Sequence, residues 1–70
     1  MKWHSDKAVH DRCNEKLLEI SEIMDPLLRF QTAIRHICVL GATLPSKVKF
    51  REWSRRMSVI ALDPSTFKKI

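Results

Sequence analysis

One glycine and three prolines in seventy residues leave this chain short of the residues that build tight turns. An all-β domain of many hairpins depends on such residues, so their scarcity argues for helices. A single glycine also excludes a glycine-rich phosphate-binding loop. No apolar run approaches the roughly 18 residues that cross a bilayer. The opening MKWHSDK lacks the apolar segment of a secretory signal. The expectation is a soluble, cytoplasmic protein with no membrane partner. Cysteine is scarce too: Cys13 and Cys38 are too few for a disulfide framework and read as two buried thiols in a reducing compartment.

What is present fits an ordered helical chain, with 44% hydrophobic and 30% charged residues. Its length supports one domain, residues 1–70, whose core contributes no more than about 3 to 5 kcal/mol and benefits from a partner. Two Asp-Pro pairs and the glycine punctuate it. A first helix is expected over about residues 5–24, capped by Ser5 or Asp6. A second is expected over about 26–40, with Asp25 as cap, Pro26 at the first helical position and Gly41 as a left-handed C-terminal cap. A third is expected over about 46–62, closed by Asp63-Pro64 and followed by a short terminal turn. The fold class is therefore all-α, a helical hairpin with a basic third helix packed across it.

Val9, Cys13, Leu17, Ile20 and Met24 recur every three or four residues and predict the buried stripe of the first helix, with Asp11, Glu15, Glu19 and Glu22 on the opposite side. In the third helix the same logic selects Phe50, Trp53, Met57 and Ile60. The second helix is apolar over a broad arc of Leu27, Phe30, Ala33, Ile34, Ile37, Cys38 and Leu40, with Leu28 and Val39 on its more polar side. One neighbour cannot cover all of it, so the second helix is placed centrally and a homodimer is expected, with Leu28 or Val39 at or near the contact.

No constellation of catalytic residues stands out. His10 with Cys13, and His36 with Cys38, are close in sequence, but neither pair has the doubled spacing of a structural zinc site. His4, His10 and His36 read as surface or boundary residues. Glu15, Glu19 and Glu22 have Arg12 and Lys16 as neighbours and read as a solvated face. The chain is expected to be non-enzymatic, with no metal and no cofactor.

The charge is what asks for a function. Residues 1–40 carry six basic and six acidic side chains, whereas residues 41–70 carry seven basic against Glu52 and Asp63, the whole net charge of +5. Five of these lie in KVKFREWSRRM: Lys47, Lys49, Arg51, Arg55 and Arg56. At 100° per residue, Lys47, Arg51 and Arg55 form one row, Lys49 and Arg56 the other flank, and Val48 and Val59 lie between. Three uses compete. The face binds an acidic surface of another protein, it binds DNA or RNA, or it pairs with the acidic face of the first helix, within the chain or across a dimer. Valines interleaved with arginines favour a protein partner. Nucleic acid is second, because the third helix lacks the Asn and Gln that read adenine and the six residues from Gly41 to Ser46 exceed a helix-turn-helix turn. The expectation is a small regulatory or adaptor protein, comparable in style with the inhibitors that phages and mobile elements encode, whose binding residues are Lys47, Lys49, Arg51, Arg55 and Arg56.

Overall fold

The computed structural model describes residues 6–68, which form three long helices and one short one: α1 Asp6–Glu22, α2 Pro26–Thr43, α3 Lys47–Leu62 and α4 Ser65–Lys68. The cap expected at Ser5 or Asp6, and His4, lie outside the residues whose side chains are described. The other boundaries follow from local chemistry. Asp25 has extended backbone and its carboxylate accepts the Leu27 N–H at 3.1 Å, while Pro26 occupies a position where no N–H is needed. The Ser46 hydroxyl accepts the Lys49 N–H at 3.3 Å and starts α3. Asp63 repeats the Asp25 device, its carboxylate accepting from the Ser65 N–H at 3.2 Å to start α4.

The tighter pair is α2 with α3, and α1 lies across both. Contacts at both ends make α2 and α3 antiparallel: Arg29 near the start of α2 meets Ala61 near the end of α3, and Gly41 near the end of α2 meets Phe50 near the start of α3. Gly41 is not the cap that the sequence predicts. Helix α2 continues through it to Thr43, no glycine has positive φ, and Leu44 ends the helix with its N–H donated to Leu40. A Cβ on Gly41 would lie 3.3 Å from Cε1 of Phe50, so the glycine is a notch for that ring.

The core joins Val9, Cys13, Leu17 and Ile20 of α1 to Ala33 and Leu40 of α2, Leu44, and Trp53, Met57, Ile60 and Ala61 of α3, with Phe67 of α4 packed against it. The stripes expected on α1 and α3 are thus largely realised. Three expectations fail. Met24 is 90% exposed because α1 has already ended at Glu22. Cys38 is exposed and only Cys13 is a buried thiol. On α2, Leu27, Phe30 and Ile34 face outward, while Arg29, Thr32, Ala33 and Leu40 face the core.

Arg29 explains that rotation. Only 8% exposed, it donates from Nε to the Ala61 carbonyl at 2.8 Å and from Nη1 to the Ile23 carbonyl at 3.0 Å, with Met24 O at 3.5 Å. These acceptors lie at the C-terminal ends of α3 and α1, where free carbonyls and the helix dipole favour a cation. Neither helix has a basic residue in its own last turn. Among the described residues no helix is long and apolar enough to cross a membrane.

Arg29→Met removes the fork and leaves buried carbonyls unpaired, which is expected to cost about 2 to 4 kcal/mol in urea unfolding. Arg29→Lys should recover less than half of that, since an ammonium cannot reproduce the planar fork. Arg35→Met, exposed on the same helix, should stay within about 0.5 kcal/mol of wild type. Equal losses for Arg29→Met and Arg35→Met would refute the clamp.

Candidate interaction surface

Packing of Trp53, Met57, Ile60 and Ala61 into the core fixes the rotation of α3 and therefore which charges reach solvent. Lys47, Arg51 and Arg55 are exposed on the outer side; Lys49 and Arg56 are half-buried on the flank toward α1. Between and beyond the outer charges lie Val48, 75% exposed, Val59 and Leu62, the last 72% exposed. Leu62 is absent from the sequence-based set. Its projection angle falls beside Arg55, which is the signal that places it outside.

Arg56 has work within the fold. Its guanidinium carbon stands 4.6 Å from the centroid of the Trp53 ring, and His10 of α1 meets the same ring edge-on at 5.5 Å. A cation over an indole is worth about 0.5 to 1 kcal/mol. Arg56 and Lys49 also bear on Cys13: burial pushes its thiol pKa up, and the two cations pull the other way. The five basic residues thus divide into an outer row of three and an inner flank of two.

Beside the outer row, where α2 ends and α3 begins, a groove of about 480 Å³ has Gly41, Leu44 and Phe50 as its apolar lining and Lys47 and Arg51 among its polar residues. Apolar ground next to an arginine suits a protein contact better than a bare phosphate chain does.

Two carboxylates on the acidic side of α1, Asp11 and Glu19, are engaged elsewhere. Among the described residues, Asp11 pairs with Lys7 at 2.8 Å and approaches His10 at 3.8 Å, and Glu19 approaches His36 at 3.4 Å. No carboxylate lies within ion-pair distance of Arg51 or Arg55 among the described residues. Pairing of the basic helix with α1 inside one chain is therefore not how those two arginines are used.

His36 sits at the edge of a cleft of about 230 Å³ between α1 and α2, beside Arg12, Cys13 and Lys16. Its Nε2 is buried and makes no well-formed hydrogen bond, the Glu19 oxygen at 3.4 Å being an ion-pair contact only. Burial lowers the His36 pKa below its usual 6.5, Glu19 opposes this, and Lys16 and Arg35 reinforce it. Among the described residues no three His, Cys, Asp or Glu side chains gather as metal ligands. Leu28 and Val39, the expected dimer residues, are about half exposed. No protein-family model, curated protein or solved structure matches the chain.

Two outcomes follow from these environments. Arg56→Ala should destabilise by about 0.5 to 1 kcal/mol through the lost stacking, whereas Arg51→Ala and Arg55→Ala should each change unfolding by less than about 0.5 kcal/mol. For His36 the folded pKa is depressed, so the unfolded chain takes up the proton first. Its contribution to stability is complete above about pH 6.5 and falls as pH drops through the lower folded value. Urea midpoints measured from about pH 7.5 to about pH 5 should decline less in His36→Gln than in wild type, and parallel curves would remove His36 from the account.

Proposed function

We propose that this chain is a non-enzymatic binding protein that docks the outer face of α3 on an acidic surface of another protein and alters that partner's activity or contacts. The observation that carries this reading is the pair Arg51 and Arg55, exposed and without a carboxylate partner among the described residues, set among exposed Val48, Val59 and Leu62. Arginines bordered by apolar side chains are the usual anchors of protein interfaces. Lys47 steers approach, and Lys49 and Arg56 extend the positive field along the flank. In this reading the protein works as a homodimer, with Leu28 and Val39 at or near the contact, and so offers two such faces.

Nucleic-acid binding is the second reading, and one observation favours it. Because α2 runs to Thr43, only Leu44, Pro45 and Ser46 separate it from α3, the length of a helix-turn-helix turn and shorter than the sequence alone implies. Against it, α2 and α3 touch at both ends as an antiparallel hairpin, whereas helix-turn-helix pairs cross steeply.

The double variant Arg51→Glu with Arg55→Glu separates the readings. The core residues of α3 are untouched, so helicity and unfolding midpoint should match wild type. The protein captured from native host extract by wild type, with nuclease present, should be lost by the variant, a fall in affinity of about 30-fold or more. Binding to arbitrary duplex DNA or RNA at physiological salt should be weak. Tight binding that falls steeply with salt and disappears in the variant would instead establish the nucleic-acid reading.

A further inference from the structure

We propose that the cleft between α1 and α2 binds a small phosphate compound, held by Arg12 and Lys16 from one wall and His36 from the other. This goes beyond the reading above: it uses no residue of the outer row of α3, and either can fail without the other.

Arg12 and Lys16 are one turn apart on α1, so both lie on the same side of that helix. Like charges at this spacing repel. Folding sets the pair beside His36 of α2, in a cleft that no carboxylate lines among the described residues. Lys16 is half-buried and has no carboxylate within ion-pair distance among the described residues. The His36 side chain is 11% exposed, and its buried Nε2 makes no hydrogen bond although a Glu19 oxygen lies 3.4 Å away. Burial above all disfavours a proton on this ring; Glu19 of α1 favours one, and Lys16 of α1 and Arg35 of its own helix oppose it. An anion in the cleft offsets those cations, favours the imidazolium and lets Nε2 donate to Glu19. A single ligand thereby relieves the repulsion of Arg12 and Lys16 and satisfies the unpaired nitrogen.

Charge and size select the ligand. The two permanent cations, Arg12 and Lys16, match the charge of about −1.5 to −2 that a phosphate monoester carries at pH 7, whereas a carboxylate leaves one of them over. A guanidinium presents paired N–H groups to phosphate oxygens, and an ammonium adds a point charge. The cleft holds about 230 Å³. That is below the roughly 300 to 1,000 Å³ of sites for drug-sized ligands. It suits a phosphate with a short organic group, which Val39 and Leu40 of α2 meet as an apolar wall. Because its contacts come from both helices, the ligand ties α1 to α2 and stabilises the fold by mass action.

The test is a titration of the full chain with propyl phosphate, inorganic phosphate and butyrate at constant ionic strength, followed through the His36 ring resonances by NMR. Propyl phosphate should bind saturably with a dissociation constant of about 1 mM or below. Inorganic phosphate should bind about threefold more weakly, because it lacks the apolar contact, and butyrate should not saturate. With propyl phosphate bound, His36 should titrate at a higher pH than in the free protein. Lys16→Gln should weaken propyl phosphate at least about tenfold, with Arg12→Gln, at an exposed position, as the second variant. Lys47→Gln, the same loss of charge outside the cleft, should stay within about twofold of wild type. Phosphate stabilises proteins generally through exclusion from their surfaces, so the unfolding midpoint should rise further in wild type than in Lys16→Gln at equal phosphate. Absence of saturation by about 20 mM propyl phosphate, equal losses in Lys16→Gln and Lys47→Gln, or butyrate binding as tightly as propyl phosphate would each overturn the proposal. Equal affinities of the two phosphates, with the loss confined to Lys16→Gln and Arg12→Gln, would support the site and identify the free ion as its ligand.

Discussion

The Arg29 guanidinium ties the C-terminal ends of α1 and α3 to the start of α2, and the other features of the bundle follow from that placement. Taking a cation out of water is expensive, and here the compensation comes from backbone carbonyls at the negative ends of two helices in place of a carboxylate. Such an arrangement needs both helix ends at one point. A fork that reaches them from α2 fixes the offset between all three helices as well as their proximity. Gly41 does the matching work at the opposite end of the α2–α3 pair, where the Phe50 ring lies against bare backbone.

Turning Arg29 inward determines what α2 shows to solvent. Positions three, four and eleven residues beyond it, Thr32, Ala33 and Leu40, follow it into the core, while Leu27, Phe30 and Ile34 come out. Hydrophobicity alone assigns the reverse orientation, because it counts a lone arginine among apolar residues as a surface residue. The same limit applies to Gly41, whose cap role is the commonest use of a glycine after an apolar run, and to Cys38, whose exposure depends entirely on the rotation of its helix. These features rest on contacts between different helices, such as Arg29 with Ala61 and Gly41 with Phe50, which no local spacing reports.

What depends on local chemistry was legible. The Asp25-Pro26 start, the Asp63-Pro64 stop and the stripes Val9, Cys13, Leu17, Ile20 and Trp53, Met57, Ile60 rest on neighbours within one or two helical turns. The outer row of Lys47, Arg51 and Arg55 belongs to this class, since it is the complement of the α3 stripe. Arg56 does not. Its spacing places it on the flank, but only the approach of His10 and the depth of Trp53 show that its charge rests on an indole.

The bundle consequently presents three unlike faces: carboxylates on α1, an apolar stripe on α2, and arginines with valines on α3. In a domain this small, each exposed apolar side chain is one withheld from a core that has little to spare. Burying Arg29 while exposing Leu27, Phe30 and Ile34 exchanges apolar burial for a fixed helix orientation. The buried arginine fixes the phase of α2 and keeps the stripe turned outward. The α3 face then remains free of structural duty at Arg51 and Arg55. The core contacts of α3 and its exposed charges occupy different faces of the helix, so the charges of the outer row can change without disturbing the fold.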